Sequence, residues 1–496
     1  MSTISRRLLL AAPARRRDVE QRLRQLLPEV GGSAAGDIES LFGELETVVL
    51  DDPRDAWFSI AVLSAVLPTE AQVVEALRRA ALFGTVDALS PYLALEGWRR
   101  LVPPRRRRTV EIVRDGILVD VDHTSTVDFA TGIQRVVRES VRRWDRDHSL
   151  TLVGWLPDRS GLRRLDPSAA DRALHGARDG APAAEAAVST VLVPRTGTYL
   201  LPELVLESSS IARIAALARF SGLRTGTIGY DAVPLSSSET VNVGVSGRFA
   251  TYLSAVKWFD RVTVISDAAA GEYEGWRGML AGAGITGPSI TPVILPAEAP
   301  DSVLQPGAAD DLVLPSLPLV LSVGSHEPRK NHLAVLHAAE LLWREGLEFQ
   351  LVFVGGNAWG SERFAVREAE LAAAGRPVRS VQGVSDSVVW DLYRRAAFTV
   401  FPSLNEGFGL PVAESLSVGT PAITSGFGSM AEIAADGGAL LVDPHDDHDL
   451  ASGMRTLLTD ATELARLRSA ALARPTRSWD DYAAETWTAL METKTA

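Results

Sequence analysis

The chain has 496 residues, 46% of them hydrophobic and 23% charged, with 40 Gly and 27 Pro; at roughly 100–200 residues per domain, this composition predicts a folded protein of about three domains and excludes a disordered or fibrous one. Cysteine is absent, which excludes disulfides, thiolate nucleophiles and cysteine-bound zinc or iron–sulfur centres and suits a reducing compartment. The net charge of −12 argues against a nucleic-acid partner.

In chain order, Ser5-Arg6-Arg7 before Leu8 to Leu10 has the look of a twin-arginine export signal, but the apolar run ends at Ala14 before Arg15-Arg16-Arg17 and lacks a small-residue cleavage site. Ala56 to Leu67 is too short to cross a bilayer. The expected location is therefore cytoplasmic, with peripheral contact at the inner face of the plasma membrane as an extension. Residues 1–105 show helical periodicity punctuated by Gly31-Gly32, Asp51-Asp52-Pro53, Pro68 and Gly84, which predicts a small all-helical domain. Residues 1–108 carry 16 Arg against 14 acidic residues. Arg15 to Arg17 and Arg105 to Arg108 make this block a candidate docking element for a protein or an anionic membrane surface.

After the linker Pro103-Pro104 the texture changes. Short apolar runs at Gly116 to Val121, Leu150 to Trp155, Val188 to Val193, Arg224 to Ile228 and Arg261 to Ile265 alternate with helical stretches and predict βα units on a parallel sheet over 106–300. A second series over 301–475 has strands at Leu317 to Val323, Gln350 to Val354, Ser380 to Val381, Phe398 to Phe401, Pro421 to Thr424 and Ala439 to Val442. The fold class is α/β: two doubly wound domains facing a cleft, with the helical block in front. Residues 476–496 are expected to form a helix.

One string carries the most chemistry: Phe401-Pro-Ser-Leu-Asn-Glu406-Gly407-Phe408-Gly409-Leu410-Pro411-Val-Ala-Glu414. A strand runs into a glycine turn and then a helix opened by Pro411, whose missing N–H costs nothing in a first turn. Such a turn aims free amides and a positive dipole end at an anion. Glu406 in the turn and Glu414 about one helical turn later can face one cleft. Two carboxylates beside an anion site are costly unless they bind hydroxyls, which points to a ligand with both phosphate and sugar. A helix-capping glutamate plus a solvated one is the plainer reading of a bare spacing.

That string resembles the paired-glutamate signature of retaining glycosyltransferase family 4, a GT-B fold family. The resemblance covers most of 110–490 and includes Val323-Gly324-Ser-His-Glu-Pro-Arg329-Lys330-Asn331-His332, Gly383-Val384, Thr420-Pro421, Ser429-Met430-Ala431-Glu432-Ile433 and Asp443-Pro444. It implies that Glu414 holds the ribose, Glu406 positions the transferred sugar, Arg329 and Lys330 bind the diphosphate, and Gly383 with Val384 lies near the base. Gly324 and the turn Gly407, Phe408, Gly409 and Leu410 belong to the same donor site. Only three lysines occur, Lys257, Lys330 and Lys494, which singles out Lys330. Thr131-Gly132-Ile133-Gln134-Arg135 resembles the family's first glycine turn, placing Gly132 near the donor phosphate. Ile228-Gly229-Tyr230-Asp231 falls where many members carry a histidine; Tyr230 departs from that pattern and leaves Asp231 as the polar catalytic candidate. Ser478-Trp479 and the helix after it resemble the family's tail that crosses back onto the N-terminal domain.

Two other acidic strings are weighed against this. Asp120-Val121-Asp122-His123 has the form of an Asp-x-Asp metal site, but it precedes the glycine turn, and Arg329 with Lys330 supplies the positive charge, so no metal and no cofactor are expected. Asp446-Asp447-His448-Asp449 reads as a helix cap. The resemblance implies transfer of a hexose, mannose or rhamnose, from a nucleotide-diphosphate sugar to a glycan or lipid-linked acceptor in surface-polysaccharide synthesis. The competing readings are a non-catalytic nucleotide- or carbohydrate-binding partner protein and a GT-B sugar-nucleotide epimerase.

Overall fold

The computed structural model describes residues 13–93, 108–127, 132–176, 189–298 and 306–492. The Ser5-Arg6-Arg7 segment, the Arg15 side chain, Pro103-Pro104, Arg105 to Arg107 and Thr131 lie outside the described residues. Among the described residues no helix is long and apolar enough to cross a membrane.

Residues 13–93 fold into the helices Pro13–Leu26, Ile38–Thr47, Pro53–Ser64, Glu70–Phe83 and Thr85–Leu89. Their starts are locally encoded: Asp37 accepts from the Ser40 amide, Asp52 from Arg54, and Thr69 with Gln72 forms a capping box, each cap contributing about 1 kcal/mol. Ala56 to Leu63 is buried on every side, as expected of a helix apolar all round, because Pro53–Ser64 packs on the strand Ser189–Pro194 and the helix Ser208–Phe220. The block therefore shares one continuous apolar core with the sheet behind it. Polar ties reinforce it. Arg195 pairs with Asp55 at 2.7 Å, with its guanidinium 4.8 Å from the Phe58 ring centre, and Leu67 donates to the Ser160 carbonyl at 2.9 Å. Arg108, counted with the basic run, turns inward onto Ser160 and Asp158, both at 2.7 Å, so it is not a docking cation.

The first sheet has nine strands: β1 Arg108–Val113, β2 Gly116–Asp120, β3 Thr151–Trp155, β4 Leu162–Arg164, β5 Ser189–Pro194, β6 Gly197–Leu201, β7 Arg224–Gly229, β8 Arg261–Val264 and β9 Ser289–Pro292. Their order is β1-β5-β4-β3-β2-β6-β7-β8-β9. The sheet is parallel as expected except at one short strand: β4 runs antiparallel between β3 and β5. Strands β1 and β9 are polar edge strands and β4 is only three residues long, so they lack an apolar run, while the apolar part of β6 is only Tyr199 to Leu201.

The second sheet is wholly parallel, with β10 Leu319–Val323, β11 Gln350–Val354, β12 Val378–Val381, β13 Phe398–Phe401, β14 Ala422–Ser425 and β15 Ala439–Val442 in the order β12-β11-β10-β13-β14-β15. This is the doubly wound 3-2-1-4-5-6 order, in which the direction of strand addition reverses between β10 and β13 while the strands stay parallel. Ligands bind such sheets at the carboxyl ends of the strands at that crevice. The loops carrying Arg329-Lys330 and Glu406 leave the carboxyl ends of those two strands.

The last helix, Trp479–Met491, crosses back and packs on the helix Gly132–Asp147 and on β7 and β8. A Ser478–Asp481 capping box opens it. Trp144 donates to the Ala483 carbonyl at 2.9 Å, and His148 stacks on Trp487 with ring centres 3.8 Å apart. Burying Trp479 and Tyr482 contributes roughly 2–3 kcal/mol each, which keeps the tail on the first domain.

Candidate active site

The geometry begins with backbone that only glycine allows. Gly324, just past β10, has φ +150°, and a Cβ on the neighbouring Gly355 would lie 1.9 Å from its carbonyl oxygen. The loop then makes one tight turn, Pro328–Lys330, ended by Asn331 in the left-handed region at φ +57°, a conformation asparagine tolerates. Asn331 is held by its side-chain amide donating to the Pro444 carbonyl at 2.8 Å. The Arg329 carbonyl accepts from the Leu404 amide at 2.8 Å and the Ser403 hydroxyl at 3.0 Å, which fastens the β10 loop to the β13 loop.

Glu406 is where the two loops converge. Its carboxylate accepts from Lys330 Nζ at 2.5 Å, Arg329 Nη1 at 2.7 Å and Ser403 Oγ at 2.6 Å. Arg329 also binds Glu327 and the Asn405 carbonyl, both at 2.8 Å. Burial alone would raise the Glu406 pKa, but the adjacent Lys330 and Arg329 charges overcome it and hold the group at about 2. Burial pushes the Lys330 ammonium down, against the pull of Glu406.

Asp231 faces this cluster from the first domain, at the end of β7. A Cβ on Gly407 would sit 2.9 Å from both the Asp231 Cβ and its Oδ2, so a glycine is required for the two loops to meet. Burial raises the Asp231 carboxyl to about 6; Arg329 opposes the shift, and Glu406 and Glu272 add to it. Tyr230, which stands where the family pattern has histidine, donates to the Pro202 carbonyl at 2.5 Å and is buried in its own domain. Its hydroxyl therefore points away from the cluster.

Further contacts close the cleft. Ser266 donates to the Gly407 carbonyl at 2.6 Å, Asn405 donates to Ser237 at 2.9 Å, and Glu432 accepts from the Asp267 and Ala268 amides, both at 3.1 Å. Glu432 thus caps a helix of the opposite domain. Glu272, on that same helix, accepts from the Ala232 amide at 2.8 Å and Ser236 Oγ at 2.6 Å, fixing the turn that carries Asp231. No local pattern marks these contacts, because the partners of Glu432 and Asn405 lie on the other domain and those of Glu272 lie 36 and 40 residues away in its own.

Gly409, at φ +106°, precedes the helix Leu410–Ser417 opened by Pro411, as the string predicts. Phe408 is buried between the domains within the shared core. A Cβ on Gly132 would lie 3.5 Å from Leu410, so the helix Gly132–Asp147 abuts the 407–410 loop. Glu414 lies on this side of the cleft, and Tyr393 donates to its Oε2 at 2.9 Å, while Arg135 pairs with its Oε1. Gly383, at φ +65°, follows β12, and Val384 packs against the core cluster that contains Trp390 and Tyr393.

The Asp-x-Asp string is engaged inside the first domain. Asp120 Oδ2 accepts from Trp155 Nε1 at 2.8 Å and the Tyr199 hydroxyl at 2.6 Å, and Asp122 accepts from the Trp155 amide at 2.7 Å and pairs with Arg159. Nearby, Glu203 accepts from the His123 and Thr124 amides at 2.7 and 3.0 Å. Burial pushes the Asp120 and Glu203 carboxyls up, and Asp120 adds to the push on Glu203. Because the folded state favours their protonated forms, their stabilising contribution is present below the ordinary carboxylate range and is lost as pH rises through the raised values. We expect the urea midpoint to fall between pH 5 and 9, and Glu203→Gln to flatten that slope. An unchanged slope in the variant would contradict the assignment.

Two doubly wound domains closed over a cleft of this kind define the GT-B fold. Sucrose-phosphate synthase from Thermosynechococcus elongatus shares it, with a TM-score of 0.52 at 18% identity over 76% of this chain and 98% of that one. Residues 312–474 match the family model "Glycosyl transferases group 1". Among curated relatives, the chain is 27% identical over 340 residues to the serotype-specific mannosyltransferase WbdA of Escherichia coli, covering 64% of this chain and 39% of that protein. It is 33% identical over 172 residues to the D-inositol 3-phosphate glycosyltransferase of Acidothermus cellulolyticus, covering 33% of this chain and 38% of that protein. The chain thus spans about two fifths of the length of these relatives.

Proposed function

We propose that the protein is a retaining glycosyltransferase of family 4 that moves a hexose from a nucleotide-diphosphate sugar to a glycan or lipid-linked acceptor. The observation that carries this reading is the convergence of Arg329, Lys330 and Glu406 at the switch crevice of the second sheet, with Asp231 opposite. In this reading Arg329 and Lys330 take the diphosphate, and preorganised cations there stabilise the charge that develops on the leaving group. Glu406, kept ionised by the same cations, accepts from hydroxyls of the transferred sugar, while Glu414 accepts from the ribose. Asp231, with its raised pKa, faces the acceptor side. The cationic pair does the work a metal would do, so neither a metal nor a cofactor is required. The mannosyltransferase relative supports a mannose-type donor, with GDP-mannose first and a deoxysugar nucleotide second.

The test is thermal unfolding with GDP, UDP, ADP and dTDP, each with and without magnesium. A ligand at 100 times its Kd adds about 2.7 kcal/mol to the folded state. We expect one nucleotide to raise the transition without magnesium, and Glu414→Ala to lose that shift. If none of the four shifts the wild type, the donor site is not as proposed and a carbohydrate-binding role gains ground.

A further inference from the structure

The Glu414 carboxylate, on the proposed reading the acceptor for the ribose diol, is already engaged at both oxygens by the protein. Tyr393 donates to Oε2 at 2.9 Å and Arg135 pairs with Oε1, and the side chain retains only 10% of its exposure. A vicinal diol is recognised best when both of its hydroxyls reach the two oxygens of one carboxylate, so a guanidinium on Oε1 occupies half of that contact.

Arg135 belongs to the first domain and Glu414 to the second. Within the helix Gly132–Asp147, Arg135 stands three residues after Gly132, which abuts Leu410, so the helix register brings it to the donor side. It has other places to rest. Its Nη2 reaches the Glu298 carbonyl at 3.4 Å, and its guanidinium lies 6.0 Å from the Trp390 ring centre and 5.8 Å from that of Trp479. Glu298 in turn accepts from the Trp479 amide at 3.1 Å, at the start of the tail that crosses between domains. The guanidinium can therefore leave Oε1 and remain hydrogen-bonded and stacked on aromatic faces.

We infer that Arg135 is a positioning residue that holds Glu414 in a pair across the cleft and competes with the nucleotide's ribose for it, so that donor binding exchanges an interdomain ion pair for a diol contact. The inference rests on the donor-site reading above. It gives donor binding a direct effect on the contact between the domains, and it predicts an outcome opposite to that of an arginine touching the phosphates.

The experiment is titration calorimetry of wild type, Arg135→Met and Arg135→Lys with GDP, UDP and ADP, and with the 2′,3′-dideoxy analogue of whichever binds. Methionine keeps the apolar stem between Trp390 and Trp479 and removes the charge; lysine keeps the charge, in case the methionine variant folds poorly. We expect Arg135→Met to bind the ribonucleotide at least about threefold more tightly than wild type, the scale of a partly exposed ion pair, with Arg135→Lys between them. The dideoxy analogue, lacking the competing hydroxyls, should show no such gain. Weaker or unchanged ribonucleotide binding in both variants would overturn the inference while leaving the donor site standing. A gain of equal size for the dideoxy analogue would also overturn it, because the effect would not pass through the diol. A wild type that binds none of the three nucleotides would remove the donor-site reading and this inference with it.

Discussion

Lys330→Ala is expected to lower turnover by about 10²–10³-fold, the cost of removing one preorganised charge aimed at a developing negative one, while the protein still folds. The reason for the second half lies in what Glu406 keeps: Arg329 at 2.7 Å and Ser403 at 2.6 Å still satisfy the carboxylate, so stability should fall by only about 1 kcal/mol. The ammonium is itself buried over the Phe401 ring at 5.0 Å, so its loss also relieves a desolvation cost. Donor consumption at saturating acceptor, read beside a circular-dichroism melt, separates the two effects. Wild-type turnover in a folded variant would end the assignment of Lys330 to the diphosphate.

Glu406→Ala should fail differently, in the fold as well as in the chemistry. It leaves two buried cations facing each other without the carboxylate between them, and stranding a buried charge costs roughly 3–5 kcal/mol. The pH dependence carries the same signature. Glu406 titrates at about 2 in the folded protein against an ordinary 4.5, so its contribution is fully present above pH 4.5 and is lost as pH falls through 2. At 1.36 kcal/mol per pKa unit this amounts to about 3 kcal/mol. Urea unfolding of wild type between pH 5 and 2 should show that decline, and Glu406→Ala should start lower and decline less. Parallel curves for the two proteins would show that the carboxylate does not hold the cations in place. Glu406→Gln, which keeps the shape and an acceptor, should lie between them.

What was legible in the sequence is local. Apolar runs placed the inner strands β10, β11, β13 and β14 of the second sheet, because a strand buried on both faces needs no partner to be recognised; the edge strands β12 and β15 are only partly buried. The glycines and Pro411 of the 401–414 string dictated a strand, a turn and a helix, and Arg329-Lys330, singled out by the family resemblance, lies past the end of β10 as Glu406 lies past the end of β13. Asp446 caps its helix through the His448 and Asp449 amides, as its position implied.

What only the tertiary structure decided is which charge meets which. Arg135 and Glu414 are 279 residues apart in sequence, and Glu432 caps a helix of the other domain; neither leaves a trace in any window of the chain. The same holds for Tyr230, whose hydroxyl turns inward to a carbonyl, and for Asp120 and Asp122, whose metal-like spacing serves an internal network with Trp155 and Tyr199. Local propensity acts over a few residues, whereas a carboxylate is satisfied by whichever donor the packing of two domains brings within about 3 Å. The sequence thus determined the two doubly wound domains and the loops that carry Arg329, Lys330 and Glu406, and the closure of one domain on the other determined the partners of those side chains.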